Sequence, residues 1–258
     1  MSGRVVLERE GALAFVTLVS PGKFNAMSRL MWRQLREVFT DLQATSGVRA
    51  VLVRGEGGHF CAGGDIAEYT DFRFHPDSLR AFHEEDVWGG LSALLDCDIP
   101  LVAQIEGNCM GAGMEIASCC DLRLAAASAR FGAPIARLGF PMAPREAALV
   151  ARAAGESTAR EMLLAAQVLD APTLRERGFL HRVFPDAQLS ASCSDWLQAM
   201  AQLAPQAARM NKRTLRSLGA RGEAALPELV AQAYDYADSA EHREGIAAFM
   251  AKRKPQFS

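Results

Sequence analysis

The stretch HFCAGGDIAE, residues 59–68, follows an apolar run, RAVLVRG at 49–55, and sets two glycines side by side where a loop would normally carry side chains. The run is short and rich in valine, so it reads as a buried strand. Gly63 and Gly64 leave backbone N–H groups uncovered, and a ligand oxygen can approach such groups closely. A second bare stretch, EGNCMGAGMEIASCCD at 106–121, repeats the arrangement after another apolar run, IPLVAQIEG at 99–107. Its Gly111, Ala112 and Gly113 immediately precede a helical run, where free N–H groups and the positive end of the helix dipole favour a negative oxygen. Strand ends are also where an open α/β fold places its ligands. Two N–H groups from separate loops, converging on one oxygen, would make an oxyanion hole. By spacing alone, tight turns and close helix packing explain the glycines more readily. Neither stretch is a phosphate-binding fingerprint: GxxxxGK followed by Ser or Thr is absent, and GxG at 111–113 lacks its third glycine.

Outward from these loops the chain alternates strands with helices. Residues 4–18 read as a hairpin turning at Gly11. Ser28 reads as the cap of a helix from Arg29 to about Leu42, whose apolar residues recur at helical spacing. DLRLAA at 121–126 reads as a further strand, and 78–96 and 111–119 read as helical. This alternation implies an α/β fold with mostly parallel pairing. From about 144 onward the pattern becomes nearly all helical, in alanine-rich stretches at 144–166, 187–219 and 224–252. The organisation expected is a core over 1–190 and a helical region over 191–258.

Composition narrows the function classes. Half of the 258 residues are hydrophobic and the net charge is −2, which argues against an electrostatic binder of nucleic acid or membrane. No apolar run approaches 18 residues and no signal peptide is visible, so no membrane span is expected. The six cysteines form no CxxC pair and no Cys/His cluster, and read as buried thiols of a cytoplasmic protein with no metal site.

The wording of the loops adds a resemblance. HFCAGGDIAE resembles the FCAGAD-type segment of the crotonase superfamily, the enoyl-CoA hydratase/isomerase family. IEGNCMGAGMEIASCCDLRLAA is similar to that family's second signature, a glycine triplet followed by an acidic residue. KFNAMS at 23–28 and EGIAAFMAKRKPQF at 244–257 are similar to its NAL motif and its C-terminal end. The four segments stand in the family's order across nearly the whole chain.

The resemblance implies a crotonase-like spiral of ββα units with a helical C-terminal trimerisation region, forming a homotrimer or a dimer of trimers. It implies an acyl-CoA thioester as substrate and no separate cofactor, since CoA arrives with the acyl group. Gly64 and Ala112 take the places of the two oxyanion donors, and Glu115 that of a catalytic acid/base. Lys23, Phe24, Ala62, Asp65 and Ile66 take CoA-binding places, and Phe249 and Lys252 match positions that reach CoA on an adjacent subunit. The family's second glutamate follows the proline of an FGxPE-like segment. Here FGAPIARLGF at 131–140 puts Ile135 in that place, and an isoleucine carries no proton.

Glu146 is a candidate replacement, with a first-turn helix carboxylate as the plainer reading. Arg137 and Arg145 could meet a carboxylate on the acyl group. His59, His83, Glu84 and Glu85 read as residues of an exposed edge, and Phe72, Phe74, Phe82 and Trp88 as core more than pocket. Three activities stay open. They are hydration or isomerisation, other enolate chemistry (decarboxylation, thioester hydrolysis, retro-aldol cleavage), and acyl-CoA binding without catalysis.

Overall fold

The computed structural model describes residues 3–257. β1 (Arg4–Glu10) and β2 (Leu13–Val19) form the expected antiparallel hairpin, turning at Gly11 with φ +58°. Arg4, Glu8, Arg9 and Glu10 keep the edge strand β1 charged, which discourages pairing with another chain. α1 (Arg29–Ala44) starts where the Ser28 hydroxyl accepts the Met31 amide at 3.2 Å, and it buries Met31, Trp32, Leu35, Phe39 and Leu42 along one stripe.

After β3 (Ala50–Gly55) the chain runs through a short helical turn at Ile66–Asp71 into a longer helical segment. That segment comprises α2 (Pro76–Ala81), a π-helical turn at Phe82–Val87, and α3 (Trp88–Asp96). Then come β4 (Leu101–Ile105), β5 (Asn108–Met110), α4 (Ala112–Cys119), β6 (Leu122–Ala126) and β7 (Arg130–Gly132). α5 (Pro144–Ala154), α6 (Glu156–Leu164), β8 (Val168–Asp170), α7 (Ala171–Glu176), β9 (Arg182–Phe184) and α8 (Asp186–Ala201) follow. α9 (Pro205–Arg221), α10 (Leu226–Gln232) and α11 (Ala240–Met250) end the chain.

The larger sheet has the order β1-β2-β3-β4-β6-β9, and every pairing beyond the first hairpin is parallel. A second sheet, β5-β7-β8, is reached by short turns out of β4 and β6. The chain therefore steps from large sheet to small sheet to helix, as in β4–β5–α4, and this is the repeated ββα unit. Alternation along the strands serves two cores. Val51, Val53, Leu101, Ala103 and Ile105 face α1, α3 and α4, whereas Leu52, Val102 and Leu124 face Leu189, Cys193 and Leu197 of α8. Both faces are covered, which is why the strands read as continuous apolar runs.

The C-terminal third departs from the sequence expectation in detail. β8 and β9, three residues each, interrupt a region read as nearly all helical, and the helical stretch over 224–252 holds two helices, α10 and α11, with turns between. The expected division at 190/191 falls inside α8, whose apolar face belongs to the sheet's core. α9 docks through charge: the Lys212 ammonium reaches the Ile99 carbonyl at 2.8 Å and Asp121 at 2.7 Å, and Arg216 reaches the Leu95 carbonyl and Asp98. Beyond it Val230, Ile246, Phe249 and Met250 stay exposed. All six cysteines are buried and unpaired, and burial pushes the thiols of Cys61, Cys120 and Cys193 up to about 12. Among the described residues no helix is long and apolar enough to cross a membrane.

Candidate active site

The two bare loops are stitched to each other by backbone. The Cys61 amide donates to the Asn108 carbonyl and the Met110 amide to the Cys61 carbonyl, both at 2.9 Å, so one residue of the first loop pairs with β5 like a strand. The glycines make this approach possible. A methyl on Gly113 would stand 2.6 Å from the Cys61 carbonyl oxygen, and one on Gly111 would touch the Gly63 backbone. Gly63 and Gly111 also hold φ of +113° and +46°, which side chains resist. Position 112 has neither constraint, and there the chain carries alanine.

This arrangement leaves two amides without acceptors. Met27 bridges Gly64 in parallel fashion, donating to the Gly63 carbonyl and accepting from the Asp65 amide, so the Gly64 amide takes no part. Ala112 is the first residue of α4, and its amide has no carbonyl one turn back. Among the described residues neither amide donates a hydrogen bond. Gly64 and Ala112 line one cavity of about 320 Å³, together with Ala62, Ile66 and Glu115.

Glu115 lies one turn into α4 from Ala112 and is the carboxylate of the cavity wall. Part of its surface stays open, yet the protein packed around it withholds water from the charge. That desolvation, with the negative charge of Glu146 nearby, pushes its carboxyl up to about 8. Tyr69 lines the same cavity, and burial raises its phenol to about 12. A methyl on Gly64 would overlap the Tyr69 hydroxyl, so the bare glycine gives that hydroxyl its room.

The remaining candidates separate clearly. Lys23 forms an ion pair with Asp65, which is buried and caps the helical turn at Ile66–Asp71 by accepting the Ala67 amide. Phe24 is exposed and rests on the His59 ring at 4.4 Å. Phe249 and Lys252 lie at the end of α11 and do not line the cavity of their own chain. Ile135 does line it, so the place where the resemblance implies a second carboxylate is apolar wall. Arg137 lines the cavity while donating to the Ala166 carbonyl, whereas Arg145 turns to Glu84 and Trp88.

Glu146 sits in the first turn of α5, as the plainer reading has it, but it is buried and bonded to His83 Nδ1 at 3.1 Å. It is His83 that lines the cavity, with Phe82 beside it. The exposed edge expected for His83 is thus corrected. The π-helical turn at Phe82–Val87 shifts the helical phase there, and such turns recur at functional sites. Tyr69 and Arg73 are further cavity residues that no motif marked.

The sequence profile described as enoyl-CoA hydratase/isomerase matches residues 8–258. The chain belongs to the enoyl-CoA hydratase/isomerase family. A probable enoyl-CoA hydratase of Mycobacterium tuberculosis is 29% identical, the match covering 98% of this chain and 97% of the relative. A solved enoyl-CoA hydratase/carnithine racemase from Magnetospirillum magneticum superposes with a TM-score of 0.91 at 34% identity, covering 98% of this chain and 95% of that one. An enoyl-CoA hydratase/isomerase from Marinobacter aquaeolei gives 0.88 at 30% identity, covering 98% of each. The ββα spiral described above is the crotonase fold, and this family member is an acyl-CoA enzyme of the lyase or isomerase type.

Proposed function

We infer that this enoyl-CoA hydratase/isomerase family member stabilises the enolate of an acyl-CoA thioester between the amides of Gly64 and Ala112, with Glu115 moving the proton. One observation carries the reading: two amides without acceptors and one raised carboxyl line the same small cavity. Donors fixed in place before the reaction stabilise developing charge without reorganising. A carboxyl near 8 holds its proton at neutral pH yet can give it up, which suits proton transfer at the carbon next to the thioester. CoA enters with the substrate along Lys23, Phe24, Ala62, Asp65 and Ile66, and no separate cofactor takes part. The exposed apolar side chains of α10 and α11 support assembly into a homotrimer or dimer of trimers, which would bring Phe249 and Lys252 to a neighbour's CoA. The cytoplasm, where its thiols stay reduced, is its expected location.

Ile135 favours a second reading. With an apolar residue there, enolate chemistry that needs no second carboxylate gains weight, decarboxylation first, then thioester hydrolysis and retro-aldol cleavage; acyl-CoA binding without turnover belongs to the same reading. Wild type and Glu115→Gln, assayed on a panel of acyl-CoA thioesters with product mass as readout, test both. A 3-hydroxyacyl-CoA or a migrated double bond, lost in Glu115→Gln, supports the first reading. Carbon dioxide, free CoA or an aldehyde supports the second, and unchanged turnover in the variant removes Glu115 from the mechanism.

A further inference from the structure

The geometry points to His83, held by Glu146, as the second proton-transfer group of the cavity, taking the task that Ile135 cannot perform. This rests on the reading of Glu115 and the two amides given above. Three observations converge on it. His83 lines the cavity that Glu115 and Ile135 line. Its Nδ1 lies 3.1 Å from the Glu146 Oε1, and the Glu146 side chain is only 3% exposed, so a buried carboxylate orients the ring. Glu146 is also near enough for its charge to act on Glu115, which ties both carboxyl groups and the imidazole to one site.

The chemistry follows from the bonding. Glu146, as a carboxylate, accepts from Nδ1–H, which fixes the proton on that nitrogen and leaves the lone pair on Nε2. Nε2 is then the nitrogen free to serve the cavity. For hydration of an enoyl thioester, Nε2 takes a proton from water as the water oxygen bonds to the β-carbon. The π electrons move onto the thioester as an enolate, and Glu115 gives its proton to the α-carbon. The product is a 3-hydroxyacyl-CoA, with the imidazolium and the Glu115 carboxylate left behind. Transfer of the proton from His83 to Glu115 through water restores the starting state, so one water is consumed and nothing else is required. His83 is catalytic in this scheme and Glu146 is a positioning residue.

The two tasks can be measured separately. Exchange of the α-proton of a saturated acyl-CoA in heavy water needs Glu115 and the amides but no base for the attacking water. Hydration of a short 2-enoyl-CoA needs both. His83→Asn is expected to lose ~10²–10⁴-fold in kcat for hydration, the range a positioned acid or base supplies. KM and α-proton exchange should stay within about threefold of wild type. Glu146→Gln should lower hydration in the same direction, whereas Glu115→Gln should lose both hydration and exchange. Hydration at the wild-type rate in His83→Asn overturns the inference. So does a wild type that exchanges the α-proton and hydrates nothing, a result that leaves the reading of Glu115 standing. Loss of exchange together with hydration in both His83→Asn and His83→Gln also overturns it, because the ring would then be holding the cavity's shape. Exchange that survives in Glu115→Gln fails the underlying reading instead.

Discussion

Replacing Glu115 by Gln should stabilise the folded protein, and by an amount that depends on pH. Burial and the neighbouring Glu146 raise this carboxyl from its ordinary 4.5 to about 8. Between those values the unfolded chain has released the proton while the folded chain still holds it, so wild-type stability falls as pH rises across that window. Above about 8 both states are ionised and the penalty is complete; below 4.5 both are protonated and it vanishes. At ~1.4 kcal/mol per tenfold in proton affinity the full effect is on the order of 5 kcal/mol, and water reaching the open part of the side chain reduces it to about 2–4. Glutamine keeps the shape and removes the charge. Denaturant unfolding of wild type and Glu115→Gln at pH 4.5, 6, 7.5 and 9, at one protein concentration, should therefore show a gap that is small at the acid end and widens to about 2–4 kcal/mol in favour of the variant. A gap that stays constant from pH 4.5 to 9 would refute the reasoning, since it would mean that Glu115 titrates alike in both states.

Three further outcomes are expected. Gly113→Ala should force the two loops apart, because its methyl would stand 2.6 Å from the Cys61 carbonyl oxygen; a loss of ~1–3 kcal/mol in thermal or denaturant unfolding, with turnover falling alongside, checks it, while Ala112→Gly should keep both near wild type. Ile135→Glu should add a carboxylate to the cavity wall and, placed in His83→Asn, restore hydration of a short 2-enoyl-CoA at least about tenfold over His83→Asn alone, read as kcat by absorbance at the conjugated thioester. Lys212→Ala should cost about 2–4 kcal/mol in calorimetric unfolding, because it leaves Asp121 and the Ile99 carbonyl without the buried ammonium that docks α9.

What the sequence revealed follows from how local each signal is. The β1–β2 hairpin, the Ser28 cap of α1 and the strands β3, β4 and β6 stand out because their apolar spacing repeats over several residues. β5, β7, β8 and β9, at three residues each, are too short to show any period, and pairing with distant strands defines them. The two loops are legible as wording, since bare backbone demands glycine, whereas Glu115 is marked by the resemblance to the family and not by spacing. His83 is legible in neither way. Its partner Glu146 is 63 residues away, and His83 itself sits in a π-helical turn that no local pattern announces. The resemblance marks Ile135 as the place of a missing carboxylate, but what lines the cavity around it is a matter of tertiary packing.

The six interior thiols give this molecule a built-in clock. With Cys61 and Cys109 in the seam between the loops, and Cys193 on α8 against the opposite side of the large sheet, no sulfur meets a disulfide reagent until its own surroundings separate. Timed modification followed by peptide mass would thus record how often each region breathes, and would tell parting of the two loops from detachment of the helical flank.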